Sequence, residues 1–449
     1  MKFLSVVLVG IFIYACETPT RLERNNPDPP DSETFIPNPP SEVTFFLRYD
    51  DVIHVSWKDN SKHEDHYVLE RSINDEPFAF LAQLEANTTA FEDSAKALGT
   101  YSYRIQANGD KKDGPFIESP TIEAGHWRPG PVLHGSRQNV SMVMLQNGDV
   151  LVVSWGGESE LLRIGESEWI PVGKVQSVSG LTTLLKDGRV LILGVRSAGD
   201  GGGPIAEIFN PQTIGFENGG QLKAKQFLSR GASMITLQDG RVLVTAVSDI
   251  DAREPVVELY EPDAKSFSLA PLPANYRYSH TLTPLANGEV LIAGGFWRHT
   301  SVITATCEIF DPVAMTWRKA GSMRLKRVDF NSLSLANGQV FVDGGTEPDE
   351  PSEIYDPAED RWTVIRVRAY GNHFFFGFEI EPSKILTLTG SNNADITPSL
   401  FDINARTREG LATIPPTLAN TMRFSSGLLS DNRILVVGKD ERTAVFRLK

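Results

Sequence analysis

The chain has 449 residues, 41% apolar and 22% charged, with 37 glycines and 28 prolines that follow no short period, the make-up of a loop-rich globular protein and not of a coiled coil, a collagen or a disordered chain. Against 43 Lys and Arg stand 57 Asp and Glu, a net charge of −14, which argues against a nucleic-acid footprint or a polybasic membrane surface, so no nucleic-acid partner is expected. Two cysteines exclude a disulfide framework and a cysteine-rich zinc module.

The amino terminus reads as a targeting signal. Lys2 supplies a positive start, and residues 3–15 are apolar apart from Ser5 and Gly10, a run too short for the roughly 20 residues that span a bilayer. Ile13-Tyr14-Ala15-Cys16 resembles the lipobox of bacterial lipoproteins. The resemblance implies that residues 1–15 are a cleaved signal peptide and that Cys16 carries a lipid, anchoring the protein in the bacterial cell envelope, at the outer membrane. Residues 16–40 follow as a tether. Pro19, Pro27, Pro29, Pro30, Pro37, Pro39 and Pro40 lie among polar residues, and in polyproline II at about 3.1 Å per residue the stretch extends roughly 70 Å.

Residues 41–124 show short alternating strands between turn signals, the pattern of a β-sandwich. Ile53, Val55 and Trp57 share one face of a strand, and Tyr67 and Leu69 share a face of the next. Residues 98–107, Leu-Gly-Thr-Tyr-Ser-Tyr-Arg-Ile-Gln-Ala, resemble the strand F region of fibronectin type III domains, with Trp57 at their strand B tryptophan. That resemblance implies a spacer or adhesive module in which Tyr101 ties the preceding loop to the sandwich.

The remaining residues, 125–449, contain an internal repeat. A Leu-x-Asn/Asp-Gly-x-Val-Leu/Phe hairpin recurs at 145–151, 185–191, 237–243, 285–291 and 335–341, and weaker copies lie at 382–386 and 431–435. The recurring Asn-Gly and Asp-Gly predict two-residue type I′ turns, with positive φ at both positions. Each hairpin leads to a third strand, as in Glu308-Ile309-Phe310-Asp311-Pro312, and a fourth that opens on an aromatic such as Phe216, Phe267, Trp317 or Trp362. Four strands per repeat describe a propeller blade. With Gly294-Gly295 and Gly344-Gly345 after the second strand, the pattern resembles kelch repeats. The expected architecture is all-β, a fibronectin type III-like sandwich followed by a seven-bladed kelch-type propeller, with six blades as the alternative. The last copy lacks a fourth strand, and residues 126–133 are expected to supply it and close the ring.

Up-and-down connectivity puts the first-to-second and third-to-fourth turns on a plain bottom, and the second-to-third and interblade loops on a variable top. Trp155 and Trp297 depart from the repeat in top loops, and Arg277, His280 and His373 lie at first strands near the top; these five are the ligand-binding candidates. Arg137, Arg230, Arg327 and Arg423 form a secondary set, because arginine recurs near one register before the turn glycine, either as a cationic mouth or as blade-to-blade bracing. Exposed tryptophans suit sugar faces, with arginine and histidine for hydroxyls. The expected function is envelope-anchored recognition or adhesion, the propeller top binding a glycan or a protein. A kelch-type sugar-modifying enzyme and a structural part of an envelope complex are the alternatives. No catalytic motif, metal or cofactor is expected: the copper site that galactose oxidase implies needs a thioether cysteine, and Cys307 lies in a third strand away from the axis.

Overall fold

In the computed structural model the described residues are 36–47, 52–94, 98–135, 140–196, 203–223, 231–247, 255–297, 302–345, 351–365, 374–390, 397–411, 425–429, 433–438 and 441–447. All regular structure among them is β-strand. The signal segment, Cys16 and most of the tether lie outside the described residues. The chain divides into two compact units, a smaller one drawn mainly from residues before Glu123 and a larger one that contains Glu123–Lys449.

In the amino-terminal part, Ser41–Leu47, Val52–Lys58 and Ala90–Ser94 form one sheet. The other runs in the order Ala79–Glu85, His66–Ile73, Gly99–Asn108, Ile117–Glu118, and Ile122–Ala124 also pairs with Gly99–Asn108. Alternation decides what is buried: Ile53, Val55 and Trp57 on one strand, Tyr67 and Leu69 on the next, and Tyr101, Tyr103, Ile105 and Ala107 on the long one, as the period-2 geometry of a half-covered sheet requires. Trp57 packs against Tyr67 at 5.8 Å between ring centroids, and the Tyr67 hydroxyl donates to Asp59 Oδ1 at 2.6 Å. Burial, with Asp59 beside it, pushes the phenol well above its ordinary range.

In the larger unit the described residues form seven four-stranded antiparallel sheets, six of them with strands in simple chain order. Their first strands are Val140–Met144, Ser177–Leu184, Ser233–Thr236, Thr281–Pro284, Asn331–Ser334, Phe374–Glu381 and Ser425–Leu428. Those of sheets one to six touch in succession, and that of sheet seven touches that of sheet one. Sheet seven runs Ser425–Leu428, Ile434–Val437, Thr443–Phe446, and its fourth strand is Trp127–Pro129. Phe446 pairs with Trp127 and Ala444 with Pro129, and the rings of His126 and Trp127 both pack on Phe446, at 5.5 and 5.0 Å.

The core of this unit is a set of sheet-to-sheet interfaces. Val150–Ser154 is buried along its whole length: Leu151 and Val153 face Val190 and Ile192 of sheet two, while Val150 and Val152 face Leu435, Val437 and Val445 of sheet seven. A strand covered on both faces must be apolar at consecutive positions, and this is why the second strands read Val-Leu-Val instead of alternating.

The hairpin turns correct the type I′ expectation. Only the glycine takes positive φ, +88° at Gly148, +87° at Gly188, +97° at Gly240, +88° at Gly288 and +84° at Gly338. Gly288 N–H donates to Leu285 O at 3.0 Å and Leu285 N–H to Glu289 O at 2.8 Å, a three-residue loop closed by a left-handed glycine. The preceding Asn or Asp is selected for its side chain instead: Asn287 Oδ1 accepts from Glu289 N–H at 3.1 Å and Asp239 Oδ1 from Arg241 N–H at 3.0 Å, an Asx turn. The third-to-fourth turns use the same device, Asp311 Oδ1 accepting from Val313 and Ala314 N–H at 2.8 and 3.0 Å.

Candidate functional site

The end of the sheets that carries the second-to-third connections and the lead-ins to the first strands is organised by one recurrent residue. Five third strands place a glutamate two positions before their last core residue: Glu160, Glu207, Glu258, Glu308 and Glu353, all buried. Each carboxylate accepts backbone N–H groups from the segment leading into its own sheet. Glu207 takes Gln176 and Ser177 at 3.0 and 2.9 Å, Glu258 takes Lys223 at 3.0 Å, Glu308 takes Ala274 and Asn275 at 2.8 and 3.0 Å, and Glu353 takes Arg324 and Leu325 at 2.7 and 3.2 Å. Glu160 takes His134 N–H at 3.2 Å, and His134 Nδ1 lies 2.8 Å from its Oε2. The carboxylate supplies the acceptors that a chain crossing between sheets otherwise lacks. The glutamate recurs in the sequence two residues before the third-strand aromatic as Glu207, Glu258, Glu308 and Glu353, and nothing in that spacing tells a buried acceptor from a solvated acid. Their role appears only when the lead-in segment is folded over them.

Arg277 belongs to this clamp. Its guanidinium is 0% exposed, pairs with Glu308 at 2.9 Å, and donates from Nε to Asn275 O at 2.8 Å and from Nη1 to Thr306 O. Burial pushes its pKa down and the Glu308 charge opposes that push. Arg327 repeats the arrangement in sheet five, pairing with Glu353 at 3.3 Å and donating to Gly344 O and Pro351 O. Both arginines therefore brace the sheets; neither presents its head to a ligand at the surface. Arg137, Arg230 and Arg423 lie outside the described residues.

His280 is buried as well. Its Nε2 lies 2.8 Å from the Thr245 hydroxyl of sheet three and its Nδ1 3.1 Å from Arg277 O. Burial, with the Arg277 charge nearby, pulls the imidazole down to about 3, so at neutral pH it is an uncharged packing residue. This corrects the reading of His280 as a surface ligand group. In sheet five the corresponding place is held by the buried Phe330, which shows the slot to be a packing slot. His373 lies outside the described residues.

The two tryptophans do reach the surface. Trp155 is half-buried in the tight turn between Val150–Ser154 and Glu158–Leu162. Beside it Glu158 accepts from the Ser154 hydroxyl at 2.8 Å and pairs with Lys174 at 3.0 Å, contacts that hold its carboxyl down at about 2. Trp297 is 42% exposed. Phe296–Trp297 pairs with Arg277–Tyr278 as a small separate ladder, Trp297 N–H donates to Val302 O at 2.9 Å, and Phe296 stacks on Tyr278 at 5.2 Å. The buried Arg277 thus carries the ladder that lifts Trp297 outward. Trp155 and Trp297 lie at the same end but in sheets one and four, which are not neighbours.

By contrast, the fourth-strand tryptophans are pins. Trp169, Trp317 and Trp362 donate their indole N–H to Pro131 O, Pro271 O and Gly321 O at 3.0, 2.7 and 2.8 Å. Cys307 is buried, its thiol pushed up to about 12 by loss of water contact, and is unreactive as packed. Among the described residues no group of three or more His, Cys, Asp and Glu is placed to hold a metal ion.

The family profile of the Kelch motif matches residues 278–324, the segment from Tyr278 through sheet four to Arg324. Kelch-like protein 36 of Bos taurus is 34% identical over 100 residues, 21% of this chain and 16% of that protein. A putative F-box/kelch-repeat protein of Arabidopsis thaliana is 25% identical over 158 residues, 32% of this chain and 43% of its own length. Another F-box/kelch-repeat protein of that plant is 30% identical over 125 residues, 24% of this chain and 32% of its own length. The chain thus spans less than half the length of these curated relatives. The larger unit carries a kelch-repeat domain.

Proposed function

We propose that the protein is an envelope-anchored recognition protein: a lipid on Cys16, a Pro-rich tether over residues 16–40, a fibronectin type III spacer over 41–124, and a seven-bladed kelch propeller over 125–449 that binds a glycan or a protein on its top face. The sheet orders of the amino-terminal part fit a fibronectin-type sandwich. The seven four-stranded sheets, with Trp127–Pro129 completing the last, support a ring of seven blades.

The observation that carries the binding reading is Trp297, a large apolar side chain held 42% exposed by the two-stranded ladder of Phe296–Trp297 on Arg277–Tyr278. An exposed indole is costly in water and becomes useful when a partner covers it. Trp297→Ala should weaken binding by about 2 kcal/mol, roughly thirtyfold, and leave the melting temperature nearly unchanged. A glycan array followed by titration of the hit against both forms tests this, and equal binding by the two would remove Trp297 from the site.

A further inference from the structure

A cleft outside the tryptophans has its own anchor. Two cavities of 580 and 310 Å³ flank Arg196 at the edge of sheet two and share Arg196, Ile205 and Asn218 in their walls. They open at the end that carries the second-to-third connections, where Arg196 ends the second strand and Asn218 the fourth. What distinguishes this place is how its charges are disposed. Of the carboxylates in the wall, Glu207 is taken up by two backbone N–H groups, and Glu217 by Arg189 at 3.1 Å and Lys265 at 2.8 Å. Lys174 is held by Glu158 at 3.0 Å. Arg196 is exposed, and among the described residues its guanidinium meets no acceptor. Among the described residues of the two walls, Arg196 is thus the one cation without a carboxylate partner, in a protein of net charge −14.

We propose that this cleft binds a carboxylate-bearing sugar, a uronic acid unit of a polysaccharide, with Arg196 taking the carboxylate in a bidentate pair. The rest of the lining suits a sugar body. Gln176, Asn218 and Gln221 bring side-chain amides, which both donate to and accept from hydroxyls, and Asn218 Oδ1 already accepts from Gly220 N–H at 2.7 Å, which turns its NH₂ group to other partners. Ile205, Ala206 and Phe216 supply an apolar wall for C–H faces. An acidic peptide fits less well, because it lacks the ring hydroxyls that the amides of Gln176, Asn218 and Gln221 would meet and the ring C–H face that the apolar wall would cover. This assignment rests on the reading of this end as the ligand face, and it names a subsite distinct from Trp297.

The test uses the full chain and calorimetric titration with oligogalacturonate, oligomannuronate and hyaluronan fragments, the methyl-esterified form of whichever binds, and a glutamate-rich peptide. The expected result is binding of at least one uronate, weakened tenfold or more by esterification or by Arg196→Gln and kept in part by Arg196→Lys, with unchanged melting of both variants because the side chain is exposed. Failure of the wild type to bind any uronate, equal binding by Arg196→Gln, or equally tight Arg196-dependent binding of the glutamate peptide would each overturn the assignment. Binding of a neutral glycan that is lost in Trp297→Ala but indifferent to Arg196→Gln would overturn this subsite while leaving recognition on that face intact.

Discussion

Arginine, histidine and tryptophan at this end of the sheets separate by burial into bracing and presenting residues. Arg327 and Glu353 are both 0% exposed, and removing one partner of a buried pair leaves the other charge uncompensated. Arg327→Met should therefore cost about 3–5 kcal/mol in urea unfolding, far more than substitution of an exposed arginine. His280 makes a prediction about pH. Its folded pKa, about 3, lies below the unfolded value of 6.5, so its contribution to stability is complete above pH 6.5 and is lost as the pH falls from there toward 3, at up to about 1.4 kcal/mol per pH unit. His280→Phe combined with Thr245→Val copies the apolar filling of the equivalent slot in sheet five, where Phe330 packs with Ala293. The double variant should show a shallower loss of melting temperature between pH 6.5 and 4 than the wild type, and identical pH profiles would disprove the assignment. That arginine recurs near one register was legible in the chain, but whether its head faces a partner or water depends on the segment folded over it, and no spacing encodes that.

At the scale of the turn, a glycine is required by its backbone and an asparagine by its side chain. Gly240 sits at φ +97°, and a Cβ there would meet nothing closer than Lys186 Cδ at 3.7 Å. Gly240→Ala therefore isolates the conformational cost, expected at about 1–2 kcal/mol. Asn287→Ala removes the acceptor for Glu289 N–H and should cost about 1 kcal/mol, with the glycine still supplying the positive φ. Chemical unfolding of both measures the two contributions separately. The dipeptide pattern marked every one of these hairpins correctly. It could not distinguish a two-residue turn from a three-residue loop, because both favour the same residues, and only the hydrogen bonds from Leu285 N–H and Gly288 N–H decide.

Across the whole larger unit, the seventh sheet is assembled from both ends of the 125–449 stretch. Besides the strand pairing, Gly130 N–H donates to Thr443 O, Leu133 N–H to Glu441 O and Arg447 N–H to His126 O, each at 2.8 Å. Phe446 is fully buried against Leu386, Leu388 and Trp127. Phe446→Ala should cost about 3–5 kcal/mol, and truncation after Gly438 should lower the unfolding midpoint of the whole unit in one cooperative transition. A truncated chain that melts like the intact one would contradict this. The expectation that the segment at Trp127 pairs beside the last copy's third strand is met by Trp127–Pro129 on Thr443–Phe446, since an open sheet edge invites pairing.

What the chain determines by itself is what repeats: turn glycines, third-strand aromatics and doubly buried second strands, because each is a local demand met again in every sheet. The glutamate clamp repeats too, yet its meaning is tertiary, since an acid in a strand reads as solvated until the lead-in segment delivers N–H groups to it. Tertiary structure alone placed Arg277 and His280 inside and lifted Trp297 out, although all three lie within 21 residues of one another. It also left Arg196, exposed beside two cavities, without a carboxylate partner among the described residues, whereas Arg189, Arg277 and Arg327 each pair with one. Burial and pairing arise from contacts between residues distant in the chain, which is why the scaffold was legible in the sequence and the division between brace and binding surface was not.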